Sequence, residues 1–243
     1  LGVLAANVRL AQAELGVPLA LEHVAALLEW PAPELDEVLQ FKERISGCDA
    51  YIASGSNNSS RYFEYYFGKK PHIFRKNRSS VAILTGAETA ADIHGLGEDI
   101  FSYFGLGCRN VSKVLVPEGY DVPSLLGKLD AFQDIKDHHK YKNNYDYNLT
   151  ILMMSREPHF ANEFLCLKES AAVSSPVAIV HYEYYKDEDH LQELLKRDEQ
   201  EVQVITSSKE NHLPGIEFGK AQQPELWDYA DKVDTVQFLM LNV

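Results

Sequence analysis

Positive charge is scarce in this sequence relative to negative: 23 Lys and Arg stand against 36 Asp and Glu, for a net charge of -13. Nucleic acids and anionic membrane surfaces reward clustered Lys and Arg, so the composition argues against both as partners. The one local exception, KKPHIFRKNR at 69–78, reads either as a solvated loop and strand or as a site for phosphates. Cysteine is scarce as well. Cys48, Cys108 and Cys166 are odd in number and show no C-x-x-C spacing, which indicates neither a disulfide framework nor a zinc site. No apolar run approaches the roughly 20 residues that span a bilayer. The opening LGVLAANVRLAQAELG lacks the basic start and cleavage pattern of a signal peptide. These absences predict a cytoplasmic protein without an integral membrane segment, in which the N-x-S/T triplets at Asn77 and Asn148 carry no meaning. There are no internal repeats and no low-complexity linker. The first residue is Leu and not Met, as expected of a processed, truncated or incomplete chain.

What is present is enough for a core. At 243 residues and 45% hydrophobic, the chain has room for one large domain or two small ones. Residues 1 to about 45 have helical spacing, with Leu4, Val8, Leu10 and Leu15 on one face and Val24, Leu27 and Leu28 on another. Pro31 and Pro33 break the pattern before a third helix to Ile45. Then Asp49–Ala53 reads as a buried strand that empties into Ser54-Gly55-Ser56-Asn57-Asn58-Ser59-Ser60, and Arg61–Phe67 resumes as a helix. Strand, small polar loop and helix is an arrangement in which free N–H groups at a helix start face an anion. An ordinary helix cap accounts for the same Ser and Asn residues.

Further strands are expected at His72–Phe74, Ser80–Leu84, Val111–Val116, Leu149–Met154, Phe164–Lys168, Pro176–Tyr185, Val202–Thr206 and Val236–Leu241. Helices are expected at Thr89–Phe104, Val122–Phe132, Asp187–Arg197 and around Glu225–Ala230. Strands alternating with helices predict an α/β architecture with a largely parallel sheet. In the polar aromatic tract 137–148, His138 and His139 invite a metal reading. Adjacent side chains diverge and no partner has ligand spacing, so no metal is expected.

The most informative stretch is FSYFGLGCRNVSKVLVPEGY at 101–120. Cys108 sits between a helix and a strand, with Gly105 and Gly107 opening the backbone around it. Arg109 and free N–H groups at such a turn would favour the nucleophilic thiolate. The alternative is that Cys108 is a small buried hydrophobe, as cysteines most often are.

Taken together, IASGSNNSSRYFEYYFG (52–68), PHIFRKNRSSVAILTG (71–86), GEDIFSYFGLGCRNVSKVLVPEGY (97–120), SSPVAIVHYEYY (174–185) and FGKAQQPELWDYADKVDTVQFL (218–239) resemble the acyl-CoA reductase branch of the aldehyde dehydrogenase superfamily. This is the LuxC-like family that includes the fatty-acid reductase of bacterial luminescence. The resemblance implies an aldehyde-dehydrogenase-like fold: an incomplete Rossmann-like cofactor domain over 1–84, an α/β catalytic domain over 85–206, and a segment over 207–243 whose last strand returns to the cofactor and oligomer side. It implies Cys108 as the nucleophile, with its own N–H as an oxyanion donor. Gly55 and Ser56 match the family's Gly-Ser pair at the cofactor helix, where the dinucleotide phosphates lie, and Asn57 and Asn58 follow on the same loop.

The expected activity is reduction of a fatty acyl-CoA or acyl-carrier thioester to an aldehyde, with NADPH, or NADH in its place, as cofactor. A homo-oligomer in the cytoplasm and no metal complete the expectation. Oxidising relatives carry a water-activating glutamate in the strand that corresponds to 73–84. Registering SSVAIL against it puts Arg75 or a neighbour at the carboxylate position, in keeping with reduction. Arg75, Lys76 and Arg78 could instead meet phosphates of NADPH or coenzyme A. The superfamily's ribose-holding Glu has no match in 172–176, and 1–45 is too short and too helical for the family's front βα portion with its oxyanion-hole asparagine. Two alternatives stand beside this reading: an inactive truncated relative acting as an acyl-binding or oligomerisation module, and an acyl-phosphate reductase of the same fold.

Overall fold

A computed structural model describes Ile45 and residues 47–242, so the helices expected before Ile45 lie outside the described residues. The described chain forms two compact units. One comprises its residues up to Asn77 together with those from Tyr229 onward, and the other is Arg78–Asp228.

The smaller unit begins with β1 (Tyr51–Ser54), α1 (Asn57–Phe67) and β2 (His72–Arg75). β1 and β2 pair in parallel, from Tyr51 opposite His72 to Ser54 opposite Arg75. Helix α1 starts where Ser56 takes an extended conformation and its hydroxyl accepts from the Ser59 N–H, as an N-cap does. The Tyr51 ring stacks on Phe67 at 4.5 Å, and Phe63 meets Phe74, which fastens the helix to both strands.

The larger unit is organised around a seven-stranded sheet. Its strands are β3 (Ser79–Ile83), β4 (Val111–Pro117), β5 (Phe160–Ala161), β6 (Cys166–Glu169), β7 (Ile179–Tyr185), β8 (Val202–Ser207) and β9 (Ile216–Glu217). They lie in the order β5-β6-β7-β4-β3-β8-β9, parallel throughout except for the β5–β6 pair. Alternation along the strands divides the core between two faces. Ala82, Leu84, Val114 and Val116 join one cluster, while Val81, Ile83 and Leu115 join the other.

The first face is covered by α2 (Ala90–Phe101), α3 (Val122–Lys128) and α4 (His139–Ser155). Thr89 and Asp92 form a reciprocal capping box at the start of α2, whose Ile93, Leu96, Ile100 and Phe101 are buried. The second face is covered by α5 (Glu188–Asp198), capped by Asp187, through Leu191 and Leu194. The chain ends with α6 (Thr235–Asn242), grouped with the smaller unit.

Four expectations need correction. The strand expected at 149–154 is part of α4: Tyr141, Tyr145 and Leu152 are buried on one helical stripe, while Ile151, Met153 and Met154 are exposed. An apolar run this short does not reveal its period by itself, and the aromatic residues two turns upstream decide it. The returning strand expected at 236–241 is α6, because Asp234 Oδ1 accepts from the Gln237 N–H and the Asp234 carbonyl from the Phe238 N–H, so the backbone is satisfied locally. Glu225–Ala230 is a turn and not a helix, with Asp228 Oδ2 accepting from the Glu225 N–H. Finally, 73–84 is not one strand: β2 belongs to the two-stranded sheet and β3 to the seven-stranded sheet.

The second face holds a buried charge network. Lys113, fully buried on β4, donates to Asp198 Oδ2 at 2.9 Å and the Ala171 carbonyl at 2.8 Å, and its ammonium lies 2.6 Å from Glu183 Oε2. Arg197 closes the network at 2.7 Å from both carboxylates. Hydrogen bonds from Arg197, aided by Lys113 against the opposing effect of burial, pull Glu183 down to about 2. At Asp198 burial pushes upward, yet Arg197 and Lys113 together hold the carboxyl below its usual value. Removing the central cation leaves two part-buried carboxylates to share Arg197 alone. Lys113→Met should therefore cost about 3 kcal/mol at neutral pH in urea denaturation. Because the Glu183 pKa is depressed from 4.5, wild type's margin over the variant should shrink as pH falls from that value towards 2.

Candidate active site

Helix α2 does not continue to Phe104. It ends at Phe101, and Tyr103, Phe104 and Gly105 turn left-handed at φ 52°, 60° and 73°. For the two aromatic residues this conformation costs on the order of 1 kcal/mol each, so the surroundings must hold it. Phe104 stacks on the His138 ring at 3.9 Å, and His138 Nδ1 accepts from the Tyr141 N–H at the start of α4. The first histidine of the pair is thus a helix cap and a stacking partner. Among the described residues, no three of His, Cys, Asp and Glu converge as metal ligands would.

After this arch, residues 106–110 turn the chain into β4. Asn110 is buried and builds the turn: its Oδ1 accepts from the Gly107 N–H at 2.8 Å, while its Nδ2 faces the carbonyls of Asp99, Ile100 and Ser102 at 3.0, 3.3 and 2.7 Å. One side chain therefore both satisfies carbonyls at the end of α2 and fixes the residue before the cysteine. Gly107 is required by close approach and not by backbone conformation: a Cβ there would stand 2.8 Å from Asn110 Oδ1. Gly105 is the one of the two flanking glycines whose positive φ needs glycine.

Cys108 is exposed on this turn, so the buried-hydrophobe alternative does not apply. That alternative fits Cys166, which is buried and whose thiol burial pushes up to about 11. The Cys108 carbonyl accepts from Ser80 Oγ at 3.2 Å, and its N–H has no acceptor among the described residues. Arg109 is engaged by the 221–228 loop. Its Nε donates to the Ala221 carbonyl and its Nη2 lies 3.9 Å from Asp228 Oδ2, so its charge is directed at the 221–228 loop.

That loop is the part of the site that strand and helix patterning misses. Asp99 on α2, almost fully buried, accepts from the Gly219 N–H at 2.9 Å and the Ala221 N–H at 3.0 Å. Gly95, one turn earlier, leaves room for the loop backbone, since a Cβ there would stand 2.7 Å from the Phe218 carbonyl carbon. Held by Asp99 and Arg109, the loop brings Gln222 beside Gly107: a Cβ at Gly107 would lie 3.9 Å from Gln222 Nε2. A cleft with about 290 Å³ of empty space, open to solvent, is lined by Ile100, Phe104, Ser112, Tyr141, Ser175 and Val177.

In the smaller unit, Gly55 lies against α1, where a Cβ would stand 2.9 Å from Ser59 Cβ. Ser56 is the helix N-cap, Asn57 opens the helix, and Asn58 is exposed in its first turn, which carries no acidic residue. Arg75 lies on β2 and not on the SSVAIL strand. Its Nη2 donates to Thr235 Oγ1 at 3.0 Å, and its Nε lies 3.8 Å from Asp231 Oδ2.

No protein-family model matches this sequence. A UPF0276 protein of Streptomyces avermitilis is 60% identical over 37 residues, which make up 15% of this chain and 8% of that protein. Among solved structures, the NAD+ complex of an aldehyde dehydrogenase from Bacillus cereus matches with a TM-score of 0.50 at 11% identity, over 68% of this chain and 40% of that one. An indole-3-acetaldehyde dehydrogenase of P. syringae, solved as a cysteine-to-alanine variant with NAD+ and IAA, matches with a TM-score of 0.50 at 10% identity, over 68% and 41%. The fold is aldehyde-dehydrogenase-like. This chain spans about two fifths of the length of those solved structures. Among the described residues, no helix is long and apolar enough to cross a membrane.

The Asp99 anchor titrates in an accessible range. Burial, the largest influence, raises its carboxyl from 3.8 to about 6, against the two N–H donors that favour the charged form. An acid whose folded pKa is raised contributes stability that declines as pH rises between the unfolded and folded values. Wild type should therefore lose stability relative to Asp99→Asn between pH 4 and 6, and hold a constant difference above that range. Chemical denaturation of both proteins across this range checks it.

Proposed function

We propose that this chain carries the cysteine of a reductase that converts a fatty acyl thioester, on coenzyme A or a carrier protein, into the aldehyde, as the resemblance to LuxC-like acyl-CoA reductases implies. The observation that carries the reading is an exposed thiol on a buried-asparagine turn, within an aldehyde-dehydrogenase-like fold. In the acyl-transfer half, the Cys108 thiolate attacks the thioester carbonyl. The carbonyl electron pair moves to oxygen, where the uncommitted Cys108 N–H can meet the charge, and returns as the carrier thiolate leaves and takes up a proton. SSVAIL contains no carboxylate to activate water, which favours a thioester that persists until it is reduced.

A nicotinamide dinucleotide, NADPH or NADH, would supply the hydride that turns the acyl group into an aldehyde. The β1–α1 junction fits its phosphates. Gly55 allows close approach, Ser56 caps the helix, and Asn57 and Asn58 open it without an opposing acid. No metal is invoked. The functional protein is proposed to be a cytoplasmic homo-oligomer.

Incubation with labelled myristoyl-CoA should leave label on the wild-type protein and none on Cys108→Ala, and label retained after that substitution would overturn the assignment. An acyl phosphate that acylates Cys108 faster than the thioester would favour the acyl-phosphate alternative. In direct titration, Gly55→Val should weaken NADPH binding at least tenfold, because a side chain there collides with Ser59 and Phe63 and displaces the start of α1. A wild-type protein that does not bind NADPH would favour the inactive acyl-binding module.

A further inference from the structure

We propose that Ser80 is the positioning residue for Cys108: its buried hydroxyl fixes the peptide that follows the cysteine and so sets the thiol in a constant direction relative to the Cys108 N–H. This rests on the acyl-transfer reading of the site and adds to it a residue from the neighbouring strand.

The Cα of Cys108 joins two peptide planes, and each is tied through its carbonyl. The plane before it is held where the Gly107 carbonyl accepts from the Asn110 N–H at 3.0 Å. The plane after it is held where the Cys108 carbonyl accepts from Ser80 Oγ at 3.2 Å. A trans peptide points its C=O and N–H in opposite directions. The first bond therefore turns the Cys108 N–H away from Asn110, and that N–H has no acceptor among the described residues. Only two soft backbone dihedrals separate the planes. With both planes tied, the position of Cβ relative to the N–H is fixed, and the sulfur keeps a single rotation.

The sheet ladder does not achieve this by itself. Between Ser80 and Val81 the register shifts: that one step along β3 is matched by the two from Val111 to Lys113 along β4. In consequence Val111 joins the same core cluster as Val114 instead of alternating with it. A second shift lies on the β8 side, between Ser79 and Val81. Irregularities of this kind disrupt the ladder locally and re-aim the residues beside them. Ser80 holds the turn across the shift. Its N–H donates to the Asn110 carbonyl at 2.9 Å while its hydroxyl takes the Cys108 carbonyl, so one residue grips the turn at two points. Ser80 is fully buried, next to the equally buried Val81, Ala82 and Ile83. A hydroxyl in such a place calls for a partner, and the cysteine's carbonyl is that partner.

During transfer the Cys108 sulfur bonds to the acyl carbon, the bond from that carbon to the coenzyme A sulfur breaks, and the proton lost by the Cys108 thiol ends on the coenzyme A thiol. The sulfur and the N–H must meet one carbonyl group together, so an error in their relative direction slows this step. Alkylation by iodoacetamide displaces iodide and uses the sulfur alone.

The test compares wild type with Ser80→Ala, with Ser80→Thr, which keeps the hydroxyl, and with Ile83→Val, a core change on the same strand that lowers stability away from the turn. Each full chain is mixed with octanoyl-CoA without any nicotinamide cofactor, and acylation is followed by intact mass. Iodoacetamide alkylation is timed in parallel, with Cys108→Ser used to subtract reaction at Cys48 and Cys166. Ser80→Ala should slow acylation at least about tenfold while alkylation stays within about twofold of wild type. Ser80→Thr should acylate within about threefold of wild type, and Ile83→Val should alter neither rate. Unchanged acylation in Ser80→Ala, equal slowing of acylation and alkylation, or a Thr variant as slow as the Ala variant would overturn the role given to Ser80. A wild-type protein that octanoyl-CoA does not acylate would remove the acyl-transfer reading itself, and this inference with it.

Discussion

The candidate site depends on one buried amide. Asn110 faces three carbonyls around the end of α2 and accepts from Gly107, so the helix terminus and the cysteine turn are satisfied by the same side chain. A helix end buried without partners is costly, and here the partner is also the residue that shapes the backbone leading to Cys108. The left-handed arch of Tyr103, Phe104 and Gly105 becomes tolerable because both its ends are fixed, by Asn110 on one side and by the Phe104–His138 stack on the other. Local strain is thus balanced by buried hydrogen bonds, and the thiol is displayed at the surface of the unit without loose backbone behind it.

The second constraint acts across more than a hundred residues. Asp99 reaches the 219–221 backbone from α2, and Arg109 reaches the same loop from the cysteine turn. The loop is therefore held to the two segments that flank the arch. An acid placed there to bind peptide N–H groups is pushed up by burial, which ties loop anchoring to pH in a way that a neutral side chain would not. The opposite face of the sheet shows the contrasting case. Lys113, Glu183, Asp198 and Arg197 compensate one another, and the two carboxyls are held down rather than up. The charged residues on that face are committed to each other, whereas the polar groups beside Cys108 include two that have no internal partner among the described residues.

Much of the architecture was legible in the sequence because its period is local. Alternation in VSKVLV and in PVAIVHYEYY, caps at Ser56, Thr89 and Asp187, and the glycine-flanked Cys108 place most strands, the helix starts and the reactive turn. The failures have equally definite causes. TILMM carries no period of its own and takes that of Tyr141 and Tyr145 upstream, and TVQFLMLN has the composition of a buried strand but is closed as a helix by Asp234.

By itself the sequence determined an α/β chain with a parallel sheet and a cysteine at a helix–strand junction, since hydrophobic spacing and turn residues act over a few positions. Tertiary structure alone decided that Arg109 bonds to the Ala221 carbonyl, that Arg75 sits in a separate small sheet, and that Asp99 and Gln222 lie close to the cysteine turn. These are pairings between residues far apart in the chain. Which buried polar group meets which is set by how the sheet and helices pack, and no spacing rule within a single segment contains that information.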